Sequence, residues 1–147
     1  MSMKRLGRVP YLTIILGAFV LALILIVVLA GESPSTTGAK FMAALSEGDV
    51  DVLVELSHMD GVTDDELREK WEYTTSVVGP HYVFQFSIED SVRQSEDKAA
   101  VRMELIRNSD KNSAFPDRFE LELRKIDDEW KVVVASLDRE IYPGLPR

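Results

Sequence analysis

Leu12 to Ala30, LTIILGAFVLALILIVVLA, holds neither a charged residue nor a proline. At about 1.5 Å rise per residue, such a run matches the roughly 30 Å hydrocarbon core of a bilayer and predicts a membrane-spanning helix over 12–30. From Glu32 onward polar and apolar positions mix. Glu32 to Gly38, ESPSTTG, is rich in turn formers and predicts a short linker over 31–38. Apolar positions then recur at helical spacing. Phe41, Ala44 and Leu45 share one face of a helix over Ala39–Ser46, with Gly48 just past its end. Asp49 caps a second helix carrying Val52, Leu53, Leu56 and Met59 before Gly61. A third opens at the capping box Thr63-x-x-Glu66, carries Leu67, Trp71, Thr74 and Val78 as its stripe, and stops at Gly79-Pro80.

After Pro80 the period changes to two. Tyr82, Phe84, Phe86 and Ile88 alternate with Val83, Gln85, Ser87 and Glu89, which predicts a half-buried strand with an aromatic inner face. A second strand sets Val101, Met103 and Leu105 opposite Arg102 and Glu104. A long polar loop, Asn108–Asp117, leads to a third, with Phe119, Leu121 and Leu123 alternating with Arg118, Glu120, Glu122 and Arg124. The turn Asp127-Asp128-Glu129 opens a fourth at Trp130, whose Val132–Ala135 section is apolar on both faces and so predicts a central or doubly covered strand. Three helices followed by four antiparallel strands make an α+β domain over 39–147, with the helices packed on one curved sheet.

Charge orients this plan. Lys4, Arg5 and Arg8 precede the apolar run with no acid among them, so the tail over 1–11 is expected in the cytoplasm and the C-terminal domain outside. Outside means periplasmic or extracellular in a bacterium, and lumenal otherwise. A cleaved signal peptide is the competing reading, but its apolar core is typically shorter than this run, so an uncleaved anchor is expected. Glu32 stands where a lipobox needs cysteine, which excludes lipoprotein processing. The whole chain has no cysteine, so disulfides, thiolate metal sites and cysteine nucleophiles are excluded together. Setting aside the three N-terminal bases leaves fourteen Lys and Arg against twenty-five acids, about −11 on the outer part. That charge excludes nucleic acid as a partner and favours a protein partner with a basic surface.

Two segments carry a resemblance. AKFMAALSEGDVDVLVEL (Ala39–Leu56) resembles the first helix pair of nuclear transport factor 2-like domains, a cystatin-like, SnoaL-like superfamily, and FELELRKIDDEWKVV (Phe119–Val133) is similar to that superfamily's closing hairpin. The chain departs from the commonest pattern in showing no recognisable strand between the second and third helices. The resemblance implies a cone-like sheet with a pocket between helices and sheet, in a superfamily of both enzymes and plain binding modules. Membrane-anchored members, including inner-membrane scaffold subunits of type IV secretion systems, look alike in layout.

Enzymes of that superfamily, such as ketosteroid isomerases, use an inward Asp or His with a Tyr donor. Here the pocket-lining strand offers Tyr82, with Asp90 following the same parity and His81 on the other face; Trp71, Phe84 and Phe86 complete the pocket candidates. The bland reading puts Trp71 and the aromatic row in a filled core and the Tyr82 hydroxyl at its rim. With two histidines far apart there is no zinc spacing, and His58 is expected in a solvated or capping role. Neither Asp60, Asp64, Asp65 and Glu66 nor Asp127-Asp128-Glu129 follows a calcium loop. Scattered glycines provide no phosphate cradle, so neither metal nor cofactor is expected. The expected function is therefore a membrane-anchored, non-enzymatic module that binds a small apolar ligand or a protein partner, the latter through Glu120 and Glu122. The alternative is a small pocket enzyme of isomerase-like or hydrolase-like type.

Overall fold

The computed structural model describes residues 11–107 and 116–147, the side chains of 12, 27–30 and 81 excepted. The basic tail with Lys4, Arg5 and Arg8, most of the Asn108–Asp117 loop and the side chain of His81 therefore lie outside the described residues. The chain divides into two units, Met1–Gly31 and Glu32–Arg147. In the first, α1 (Tyr11–Ala30) is an uncharged 20-residue helix. Its side chains are described without a break only over 13–26, where all are exposed. That stretch falls short of the roughly 20 residues a crossing needs. Among the described residues no helix is long and apolar enough to cross a membrane.

In the second unit three short polar side chains open three helices. Ser33, Asp49 and Thr63 accept backbone N–H groups of Thr36, Val52 and Glu66 at the starts of α2 (Pro34–Glu47), α3 (Val50–Leu56) and α4 (Asp64–Tyr73). The first of these corrects the expected linker. Ser33 as cap and Pro34 at the first helical position start α2 five residues before Ala39, so most of 31–38 is helix. Gly38 lies against the sheet, where a Cβ would stand 3.2 Å from Val101 Cγ1. At the other end Gly48 adopts φ 71°, a left-handed stop that glycine takes without strain.

The capping box at α4 is complete: Thr63 N–H donates to Glu66 Oε2 at 2.9 Å and Glu66 N–H to Thr63 Oγ1 at 3.3 Å. Thr63→Ala should cost about 1 kcal/mol in equilibrium denaturation. The Thr63 backbone bond holds the Glu66 carboxyl below its ordinary value. A carboxyl depressed in the folded state stabilises above its unfolded pKa and loses that contribution as pH falls through the folded one. Glu66→Gln should accordingly flatten the acid limb of the stability profile.

Beyond Tyr73 the expected α-helix widens into a π-turn, Thr74–Val78, and tightens into a 3₁₀ turn, Gly79–His81. The cause is local. Thr74 and Thr75 hydroxyls donate to the carbonyls of Lys70 and Trp71 at 3.0 and 2.9 Å, and Ser76 to that of Glu72, so three successive side chains compete for the carbonyls of the helical ladder.

The sheet is five-stranded and mixed, which corrects the expected four antiparallel strands. β1 (Ser57–His58), β2 (Phe84–Arg93), β3 (Lys98–Arg107), β4 (Asp117–Ile126) and β5 (Glu129–Val133) lie in the order β1-β5-β4-β3-β2. β1 pairs parallel with β5, supplying the strand between the second and third helices that the sequence does not display. Two residues are too few to carry a period. Asp127 and Asp128 turn the β4–β5 hairpin at φ 50° and 63°. β5 is central, as its doubly apolar stretch predicts, but it ends at Val133, and Val134–Ser136 forms a 3₁₀ turn. Between sheet and helices the core holds Phe41, Leu45, Trp71, Met103, Leu121 and Val132, each buried.

Candidate functional site

Trp71 lies at the centre of that core and is fully buried. Its ring meets Phe41 edge-on at 5.8 Å, and its indole N–H donates to Ser57 Oγ at 3.0 Å. The Ser57 hydroxyl in turn donates to the Leu53 carbonyl. Trp71 therefore knits α4 to α3 and β1 within the core.

The aromatic row stands where its period placed it. Phe84 is buried, Phe86 is half-buried, and the ring spacings from Tyr82 to Phe84 to Phe86 are 5.8 and 6.4 Å. Its mouth is occupied by the chain's own C-terminal segment. Tyr142 sits edge-on against Tyr82 at 5.0 Å and Phe84 at 6.1 Å, and Ile141 beside it is fully buried. Burial pushes the Tyr142 phenol up from its ordinary pKa.

Polar groups fasten the segment. Tyr82 Oη donates to the Ile141 carbonyl at 3.1 Å and accepts from Arg107 Nε at 2.7 Å. Arg107 Nη2 donates to the Glu140 carbonyl, and its Nη1 pairs with Asp117 at 2.5 Å. The Tyr82 hydrogen bond is the first cause holding the Arg107 pKa above its ordinary value. On the helix side the Thr74 hydroxyl lies 2.5 Å from the Gly144 carbonyl, and Lys70 Nζ donates to the Arg147 carbonyl at 2.8 Å. Arg107 continues the inward parity of Val101, Met103 and Leu105, a charge where an apolar residue is expected. Sequence reasoning passed over Arg107, although a charge at that parity is a signal that could have found this cluster.

Asp90 does not join Tyr82, which corrects the parity reading. The register of β2 against β3 shifts between Ile88 and Asp90, leaving Glu89 as an extra residue. Such a bulge turns every later side chain to the opposite face. Asp90 thus pairs with outward-facing Arg102, Nε to Oδ1 2.9 Å, on the outer surface. Glu120 and Glu122 also face outward, opposite Arg102 and Ala100. Their surroundings are mixed in sign, with Arg118 bridging Glu89 and Glu104 at 3.4 and 3.2 Å. His58, placed in β1, contacts Asp60 at 2.9 Å, and that hydrogen bond, then the Arg124 charge, holds the Asp60 carboxyl below its ordinary value. Behind the C-terminal segment a cleft of about 430 Å³ opens between Met59, Val62, Leu137 and Leu145, with Asp60 and Arg139 also lining it.

No family model and no curated protein matches this sequence. Among solved structures the chain is similar to a Thiobacillus denitrificans protein named as a calcium/calmodulin-dependent protein kinase type II association domain, at 13% identity over 70% of this chain and 92% of that one, TM-score 0.50. A nuclear transport factor 2-like protein of unknown function from Shewanella oneidensis matches at 21% identity over 66% and 88%, TM-score 0.45. A ketosteroid isomerase-like protein from Erwinia carotovora matches at 18% identity over 66% and 85%, TM-score 0.45. At these identities the likeness is one of fold alone.

Proposed function

We propose that this chain is a binding module tethered to a membrane by its N-terminal helix, with the domain over 32–147 outside and the interior of its cone not used for catalysis. The observation that carries the reading is the separation of Asp90 from Tyr82: the one carboxylate expected beside the phenol stands on the outer face in an ion pair, while the phenol is bonded to the chain's own backbone. General acid–base chemistry needs both groups within hydrogen-bond reach of one substrate. The uncharged α1 and the basic residues before it support the tether. The acidic balance from Glu32 onward, with Glu120 and Glu122 outward, supports a protein partner with a basic surface.

Cross-linking in intact cells, followed by detergent extraction of the full-length chain, tests the reading. Glu120→Lys with Glu122→Lys should cut the yield of the cross-linked partner several-fold, more at low salt where charge is least screened. Asp90→Asn should leave that yield unchanged. Loss of cellular function on Asp90→Asn, with the charge reversals silent, would put a pocket enzyme first. For the tether, a cysteine introduced at exposed Ser91 should react with a membrane-impermeant maleimide on intact cells, or on spheroplasts where an outer membrane intervenes. Labelling only after lysis would reverse the topology.

A further inference from the structure

The C-terminal segment behaves chemically as a ligand. It presents two adjacent carbonyl oxygens, of Glu140 and Ile141, to a guanidinium and a phenol, and the Tyr142 ring to an aromatic bowl, with the Ile141 side chain fully buried beside it. We infer that residues 140–142 occupy a latent site of their own domain, and that the site's free ligand is an apolar body carrying one carboxylate. The inference rests on the reading of the domain as a binding module but not on the membrane tether.

The donor set fits a carboxylate better than it fits the segment. Arg107 Nη1 is held by Asp117, which leaves its Nε–Nη2 edge and the Tyr82 hydroxyl facing the bowl. Withdrawing the segment removes one acceptor from Nη2 and one from the hydroxyl, and a carboxylate returns two oxygens to those two donors. A hydrogen bond from a guanidinium to a carboxylate is roughly twice as strong as one between neutral groups. The apolar volume vacated by Ile141 and Tyr142 suits an aromatic or medium-chain acid.

The seat depends on two glycines, one on each side of the contact. A Cβ on Gly79 would stand 2.0 Å from Tyr142 Oη, and a Cβ on Gly144 would stand 2.8 Å from Val78 Cγ2 at a φ of +70°. Neither glycine belongs to the bowl. Substituting either one therefore forces the contact to give way without altering a donor or a ring of the bowl, and the segment is then expected to leave.

The test uses the full-length chain in lipid nanodiscs and equilibrium dialysis of 2-naphthoate, with neutral 2-naphthamide as the comparison and empty nanodiscs subtracted. Apparent affinity scales with the fraction of open sites, so Gly79→Ala should bind 2-naphthoate about tenfold or more tighter than the natural chain. It should also prefer the acid to the amide. Removing the hydroxyl that clashes leaves Tyr142 Cζ as the nearest atom, at 3.1 Å, so Gly79→Ala with Tyr142→Phe should reseat the segment and return binding to the starting value. Gly79→Ala with Arg107→Gln should lose the preference for the acid.

Trypsin cleavage after Arg139 reports release of the segment, and the near-ultraviolet signal of Trp71 reports the core. If Gly79→Ala loses that signal, Gly144→Ala expels the segment from its own side and is read in the same way. A segment that stays protected in both variants, or a released segment with no gain in naphthoate binding, overturns the inference. So does a gain equal for acid and amide and unchanged by Arg107→Gln. If it fails while the cross-linked partner is still captured, the binding module stands and only its ligand is lost.

Discussion

Trp71→Ala will lower the stability of the domain by about 3 to 5 kcal/mol, measured as the shift in the midpoint of guanidinium unfolding. The indole is fully buried, stacks edge-on with Phe41 and closes a relay through Ser57 to the Leu53 carbonyl, so truncation leaves a cavity and a hydroxyl without its donor. Against a typical total of roughly 5 to 15 kcal/mol, that loss approaches unfolding. Trp71→Phe keeps a stacking ring and gives up mainly the hydrogen bond, for about 1 kcal/mol plus a smaller packing loss. A cost for Trp71→Ala below about 1 kcal/mol would place the side chain outside the core.

Ile141→Ala will cost about 2 to 5 kcal/mol, although it lies beyond the last strand, where chain ends usually tolerate change. Ile141 is fully buried, and its carbonyl is the acceptor of Tyr82 Oη. Leu145→Ala, at a half-buried position of the same segment, should cost clearly less in the same denaturation series. A silent Ile141→Ala would mean that the segment is not seated on the aromatic row in solution.

How much of this was legible in the sequence follows from how each element is made. α3 and α4 announce themselves through Asp49 and through Thr63 with Glu66, because a capping side chain and an apolar stripe are both local. β2, β3 and β4 read correctly from their period of two over the stretches that pair without interruption. Ser33-Pro34 is also a local start signal, but in ESPSTTG it is masked by turn formers that serve equally well in a helix's first turn. The bulge at Glu89 leaves no trace in the pattern, since the two residues that follow it, Asp90 and Ser91, are polar on both faces, and one unseen extra residue was enough to carry Asp90 from the pocket to the surface. The seat of the segment depends on contacts with residues 59 to 70 positions earlier, from Tyr82 with Ile141 to Thr74 with Gly144, and no period reports those. Arg107 was missed as well, although a charge at an inward position of β3 was there to be read.

The Glu89 bulge has a further effect at the border of the sheet. Among the described residues β2 pairs only with β3, so its other side presents ten residues of backbone to the surroundings, while β1 covers part of the opposite border. A long flat strand in that position is a template on which another chain can add itself. The extra residue bends this one out of plane, while Glu89, Asp90 and Arg93 turn their charges back over the sheet, to Arg118, Arg102 and the Trp130 ring, so the bulge alone interrupts the template. Deleting Glu89 would do more than rotate Asp90 inward: it would straighten the strand, and the protein would gain a tendency to grow end on end into β-linked aggregates.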